Sequence, residues 1–246
     1  MSKKNKHNGF FILVKSLWHN RHNIVKYYPR LIRMAWHTER YTYKERYDFA
    51  MEIIDVLLKT LNIEIETFGM ENIPQEEGIF LCSNHQEKFD PLVIWKTFPQ
   101  QIGVIVNDKA CHRPFIGEFV KIIKSHKLIE RSMRTAIRTI SALTKELQSK
   151  VNYMIFPEGR YEDDFDELLP FKSGCFKSPL RAKVPVLPVA ITDSYKIFEK
   201  NHKGSYKINI HYLKPIFPEE FSGMKTIELA ELVRSRIQSA VREYQQ

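Results

Sequence analysis

The stretch Gly78-Ile79-Phe80-Leu81-Cys82-Ser83-Asn84-His85-Gln86-Glu87-Lys88-Phe89-Asp90-Pro91 sets the terms for the rest of the chain. Its first half, Gly78–Ser83, is a short apolar run of the kind that forms a buried strand. Its end, Asp90-Pro91, carries the acidic residue and the proline that favour the first turn of a helix. Strand, polar turn, helix is the local order, with Asn84 at the strand's end and His85 in the turn.

The same alternation extends in both directions. Asn62–Phe68 alternates, with Ile63 and Ile65 on one side, and Gln101–Val106, Tyr153–Phe156, Val186–Ile191 and Tyr206–Leu213 are further strand-like runs. Helical periodicity separates several of them. Ser132–Ser149 places Ile137, Ile140, Leu143 and Leu147 on one face, and Lys225–Tyr244 places Ile227, Ala230, Val233, Ile237 and Val241 on another. Strands alternating with helices predict an α/β fold, a central mixed sheet flanked by helices. Before residue 62 the pattern is different. Residues 42–61 read as an amphipathic helix with Ala50, Ile54, Leu57, Leu58 and Leu61 on its apolar face, and a further helical stretch precedes it, interrupted near Pro29. The expected organisation is an N-terminal helical segment, 1–61, followed by an α/β domain, 62–246.

His85 and Asp90 are the first chemical candidates. A turn between them folds the carboxylate back onto the imidazole, where it fixes the tautomer and stabilises an imidazolium, leaving the other ring nitrogen as a base. An unperturbed histidine titrates near about 6.5, which suits removal of a proton from a hydroxyl at neutral pH. The second candidate is Phe156-Pro157-Glu158-Gly159-Arg160. Pro157 stops the preceding strand, Gly159 permits a tight turn, and Glu158 and Arg160 then project at the sheet's C-terminal edge, where ligands of α/β folds bind. Arg160 can grip a phosphate with its planar fork. Glu158 can orient that arginine or a substrate hydroxyl.

Other chemistries find no support. The nine glycines are never closer than nine positions apart, so there is no GxGxxG or Walker loop. There is no HExxH, and no GxSxG nucleophile elbow. The three cysteines, Cys82, Cys111 and Cys175, form no CxxC pair, which fits a reduced compartment. The longest early apolar run, Phe10–Val14, is ended by Lys15, far short of the roughly 20 residues of a spanning helix. No secretory signal is visible either, and a cytoplasmic protein is expected.

The two segments together resemble the 1-acylglycerol-3-phosphate acyltransferase (lysophosphatidic acid acyltransferase) family. Asn84-His85-x4-Asp90-Pro91 and Phe156-Pro157-Glu158-Gly159 are similar to its first and third blocks. Lys109…Pro114-x2-Gly117…Arg131 resembles the second, and Val184–Ile191 the fourth, with Phe171-Lys172-Ser173-Gly174 following the third. The likeness covers about residues 62–195. It implies that His85, held by Asp90, deprotonates the acceptor hydroxyl, which attacks an acyl thioester directly. Neither an acyl-enzyme nor a metal is expected, and no cofactor, since the acyl thioester is a co-substrate carried by acyl carrier protein or coenzyme A. Arg131, Arg160, Lys109 and Lys172 become candidates for the acceptor's phosphate, with Glu158 and Gly159 beside its glycerol. The chain departs from the family in one place. Where the family usually reads Phe-Pro-Glu-Gly-Thr-Arg, Arg160 here follows Gly159 directly, so that either the arginine sits one place early or the usual arginine is absent. The implied acceptor is lysophosphatidic acid; glycerol-3-phosphate, another lysophospholipid or a non-glycerol lipid are alternatives, as is a catalytically silent lipid-binding module.

Such acceptors live in a bilayer, and the charge distribution suits one. Residues 1–46 hold eleven basic residues against two acidic ones, while the remainder carries 27 of each sign, so the front of the chain accounts for the whole net charge of +9. Its basic and aromatic residues, Phe10, Phe11, Trp18, Arg21, Lys26, Tyr27, Tyr28, Arg30, Arg33 and Trp36, are of the kind that lies in the headgroup region of an anionic membrane surface. A solvated basic face, or docking of an acidic acyl carrier protein, is also compatible. No helix-turn-helix, RNA-recognition or zinc-finger pattern is present, so nucleic acid is not an expected partner.

Overall fold

The computed structural model describes residues 21–128, 133–160, 167–198 and 205–244. Phe10, Phe11, Trp18 and Arg131 lie outside these residues, and the side chain of Arg21 is not among those described. Among the described residues, seven strands form one sheet: β1 (Ile63–Phe68), β2 (Phe80–Ser83), β3 (Ile102–Asn107), β4 (Ser125–Leu128), β5 (Asn152–Ile155), β6 (Val186–Thr192) and β7 (Tyr206–Tyr212). Their order across the sheet is β1-β7-β6-β2-β5-β3-β4. Strands β2 to β6 are mutually parallel where they pair, β7 runs antiparallel to β6, and β1 runs parallel to β7. The sheet is therefore mixed, as expected. Edge strand β4 was not foreseen, because Ser-His-Lys-Leu lacks both an apolar run and alternation.

Parallel strands buried on both faces need apolar residues at every position, and β2, β5 and β6 are buried throughout. Leu81, Leu187, Val189 and Ile191 point to one face, and Phe80, Cys82, Val186 and Ala190 to the other. The first face is covered by α1 (Arg21–Trp36), α2 (Tyr43–Thr60), α3 (Asp90–Thr97) and α5 (Ile116–Ile122). The short α4 (Asp108–Cys111) lies just before α5. The second face is covered by α6 (Met133–Gln148), α7 (Lys177–Ala182) and α8 (Thr226–Tyr244). In α6 and α8 the expected apolar faces begin late. Ile137 and Ile227 are 59% and 66% exposed, each lying ahead of a buried leucine of its helix, Leu143 and Leu229.

The N-terminal helices share the core of the sheet. Helix α2 opens with a capping box in which Glu45 N donates to Thr42 Oγ1 (3.2 Å) and Thr42 N to Glu45 Oε2 (2.7 Å). Helix α1 is continuous through Pro29 rather than interrupted there. Pro29 and Val25, whose carbonyl the proline cannot serve, are both exposed residues on the outward side of the helix. Leu31 and Met34 of α1 are fully buried, each worth roughly 1.5–3 kcal/mol. Tyr27 packs against Phe49, ring centroids 6.1 Å apart, and Tyr28 stacks on Phe115 at the same separation. Both tyrosines, expected at a membrane surface, are half-buried and lie on the stripe with which α1 packs against the core. The opposite stripe of α1 is exposed and partly apolar, with Val25, Ile32 and Trp36 at 75%, 36% and 71% exposure.

Candidate active site

The chain leaves β2 through α3 on one face towards β3, and leaves β5 through α7 on the other face towards β6. Neighbouring strands whose onward connections diverge to opposite faces open a crevice at their carboxyl ends. His85 follows β2 and Glu158 follows β5, so both candidate turns stand at this crevice.

Between β2 and α3 the chain makes a tight polar turn organised by Asp90, which is fully buried at the start of α3. A buried carboxylate must be hydrogen-bonded. Asp90 Oδ2 accepts from Gln86 N at 2.7 Å and Glu87 N at 2.8 Å, and lies 2.6 Å from His85 Nδ1. One oxygen thereby shapes the turn and orients the ring. His85 keeps 17% of its side chain exposed, and Phe156 packs beside it with ring centroids 4.5 Å apart. With Nδ1 given over to Asp90, Nε2 is the nitrogen that can accept a proton. The residues on either side of His85 tie the turn to the end of β6. The Asn84 amide exchanges two hydrogen bonds with the Ile191 backbone, both 2.8 Å, and Gln86 Oε1 accepts from Ser194 N at 3.2 Å.

Glu158 joins the two turns. Its Oε1 accepts the His85 N–H at 2.8 Å and its Oε2 accepts the Leu169 N–H at 2.9 Å. Burial pushes this carboxyl up from its ordinary value, opposed by those two N–H donors. Glu87, beside His85 and Asp90, is also pushed up, chiefly by burial. Gly159 has φ of +72°, a backbone conformation that favours glycine, and the end of the Lys172 side chain lies over it. Lys172 N in turn donates to Pro157 O at 3.0 Å. The structure therefore gathers His85, Asp90, Glu158, Gly159 and Lys172, with the exposed Arg160 next in the turn. Lys109 is exposed on α4 after β3, on the same edge of the sheet. The Cys82 thiol is completely buried in the core, and burial pushes it well up, which unsuits it as a nucleophile. Leu169, Gln86 and Ser194 carry no recognisable sequence signal, because their partners are backbone groups or residues distant along the chain.

A mixed sheet bearing a carboxylate-oriented histidine at the switch point between two parallel strands defines a class of site suited to taking a proton from a hydroxyl. Residues 64–192 match the family model Acyltransferase, which spans just over half of the chain, and the chain belongs to that family. Among its relatives, the 1-acyl-sn-glycerol-3-phosphate acyltransferase of Saccharomyces cerevisiae is 27% identical over 195 residues, covering 76% of this chain and 63% of that protein. The enzyme of the same name from Borreliella burgdorferi is 25% identical over 186 residues, covering 75% and 74% respectively. This chain thus spans just under two thirds of the yeast protein's length. The fold is that of the 1-acyl-sn-glycerophosphate acyltransferase PlsC of Thermotoga maritima, with a TM-score of 0.71, 22% identity, and coverage of 96% of this chain and 95% of that one. Among the described residues, no helix is long and apolar enough to cross a membrane.

Proposed function

We propose that this protein transfers a fatty acyl group from an acyl thioester, carried by coenzyme A or acyl carrier protein, to the sn-2 hydroxyl of lysophosphatidic acid, giving phosphatidic acid. The observation that carries the proposal is the 2.6 Å contact between His85 Nδ1 and the buried Asp90. In the reaction His85 Nε2 takes the hydroxyl proton as the oxygen attacks the thioester carbonyl. The tetrahedral intermediate collapses with cleavage of the carbon–sulfur bond, and the imidazolium returns the proton to the departing thiolate. Asp90 stabilises the transient imidazolium. Lys172, Arg160, Lys109 and Arg131 supply positive charge for the acceptor's phosphate. Glu158, with each oxygen engaged by a backbone N–H, holds the His85 turn in place as its main task.

The protein works at a membrane surface in this proposal. The contact is made by the exposed stripe Val25, Ile32 and Trp36, with Lys26, Arg33 and Lys121 around it; Lys121 Nζ lies 5.5 Å from the centroid of the Trp36 ring. Each such cation is worth about 1 kcal/mol near an anionic surface. The test is a mass-spectrometric transfer assay with both kinds of thioester donor and lysophosphatidic acid in vesicles. Wild-type protein forms phosphatidic acid, and His85→Ala loses about 100-fold or more of the rate. Folded, vesicle-bound wild type that makes no phosphatidic acid from either donor overturns lysophosphatidic acid as the acceptor.

A further inference from the structure

The C-terminal helix α8 lies beyond the family-matched residues 64–192, yet a chain of hydrogen bonds runs from it to His85. Arg234 spreads its guanidinium over the backbone of segment 167–169. Its Nη2 donates to Leu168 O at 2.7 Å and its Nε to Leu169 O at 3.2 Å, while Nη2 also meets Glu167 Oε1 at 3.2 Å. One helical turn further on, Gln238 Oε1 accepts the Leu168 N–H at 2.7 Å. Three of the four backbone polar groups of Leu168 and Leu169 are thus claimed by α8. The fourth, the Leu169 N–H, is delivered to Glu158 Oε2 at 2.9 Å, and Glu158 Oε1 takes the His85 N–H at 2.8 Å.

These contacts are not a surface decoration. Gln238 and Leu168 are 6% and 4% exposed, and the Arg234 side chain is 19% exposed. A planar fork that engages two successive carbonyls fixes the orientation of the peptide between them, which a single ion pair does not. The peptide so oriented is the one whose N–H points at Glu158. Burial pushes the Glu158 carboxyl up, so the N–H donors on its two oxygens are what hold it in place and favour its charge.

We infer that Arg234 and Gln238 are positioning residues for the transfer reaction, fixing Glu158 through the Leu168–Leu169 backbone and, through Glu158, the backbone of the base His85. The inference rests on the proposed role of His85 as base. Neither residue touches the reacting atoms. Small displacements of a base are costly, about 100-fold for 1 Å in unfavourable cases.

The test uses the full chain with Arg234→Met, Gln238→Leu and Gln238→Glu, and with Arg242→Met as a control. Arg242 Nη2 binds Glu167 Oε2 at 2.7 Å, on the same segment and helix, rather than the backbone of Leu168 or Leu169. Two quantities are read: amide hydrogen exchange at Leu169 and His85, and kcat and KM for donor and acceptor. Arg234→Met and Gln238→Leu are expected to speed exchange at both amides and to lower kcat about 10-fold, with donor KM unchanged. Gln238→Glu, which keeps the acceptor oxygen, restores both, and Arg242→Met changes neither. Faster exchange at Leu169 alone, with His85 exchange and kcat at wild-type values, overturns the inference and leaves α8 a purely structural support. The exchange measurement is independent of activity. If the wild type proves inactive on every acceptor, the base assignment fails while the hydrogen-bond relay is still decided by exchange.

Discussion

Asp90 presents a single oxygen, Oδ2, to three donors at once: the His85 ring at 2.6 Å and the backbone N–H groups of Gln86 and Glu87 at 2.7 and 2.8 Å. The role proposed for this residue in the transfer reaction and its role in shaping the turn are therefore separable by substitution. Asp90→Asn keeps an acceptor for the backbone but removes the charge that stabilises an imidazolium. It is expected to lower kcat about 100-fold or more with a small change in melting temperature. Asp90→Ala also strands the buried Gln86 N–H, at about 1–3 kcal/mol, and the half-buried Glu87 N–H, and is expected to unfold at distinctly lower denaturant. Kinetics and urea titration of the pair check this. Equal stability of the two variants would show that the backbone bonds do not hold the turn.

Glu87 gives the stability a pH dependence of definite sign. Burial, with a contribution from Asp90, raises its carboxyl in the folded protein above the unfolded value near 4.5. The folded state then holds a proton that the unfolded state has released, so this group's contribution is fully present below the unfolded value and is lost as the pH rises through the folded one. Glu87→Gln removes the loss. The variant is expected to gain stability relative to wild type on going from pH 4 to pH 7, read as the difference in urea midpoint at the two pH values. A constant difference across that range would mean that Glu87 ionises as it does in the unfolded chain.

What the sequence shows of this site is what is local along the chain. His85 and Asp90 fall within one turn, Gly159 marks a turn that needs positive φ, and the apolar runs of β2 and β6 declare themselves because parallel strands bury both faces. The relay from Arg234 to Glu158 is invisible, because its middle members are the backbone groups of two leucines, and a backbone N–H has no residue signature. The inward tyrosines of α1 are illegible for another reason. Tyr27 and Tyr28 serve a core or a membrane equally well by composition, and only the position of Phe49 and Phe115 decides between them. Strand β4 escapes notice since half-buried His126 and exposed Lys127 occupy an edge rather than the middle of the sheet.

That edge suggests a third experiment. Tyr153 of β5 lays its ring against Gly103 of β3; its hydroxyl is hydrogen-bonded to Glu146, which also lies 3.0 Å from His126 Nε2. A Cβ at position 103 would stand 2.6 Å from the tyrosine ring and 2.7 Å from the Lys124 carbonyl, between two groups that the sheet and the carboxylate hold in place. Gly103→Ala is expected to cost about 1–3 kcal/mol, the usual penalty of overpacking. Because the residue sits at the start of β3, away from the carboxyl edge, activity per folded molecule should hold. Calorimetry and an activity measurement below the transition read the two effects separately, and an unchanged melting temperature would show that the ring has room to move.

Substitutions on the two faces of α1 decide which of them meets lipid. Tyr27 and Tyr28 are spent on the core, whereas Trp36 is 71% exposed beside Lys121. If the outward stripe enters the headgroup region, Trp36→Ala forfeits the transfer of a large ring, roughly 1.5–3 kcal/mol, or about 10-fold or more in vesicle partitioning. Lys121→Ala should lose about 1 kcal/mol, and that loss should shrink as salt screens the surface over about 8–10 Å. Tyr27→Phe, altered only at a hydroxyl on the inward stripe, should partition as wild type does. Sedimentation with anionic vesicles at two salt concentrations distinguishes the three variants. Were Trp36→Ala to sediment like wild type, α1 would be excluded as the lipid-facing element, and the basic residues before it would be the next to substitute.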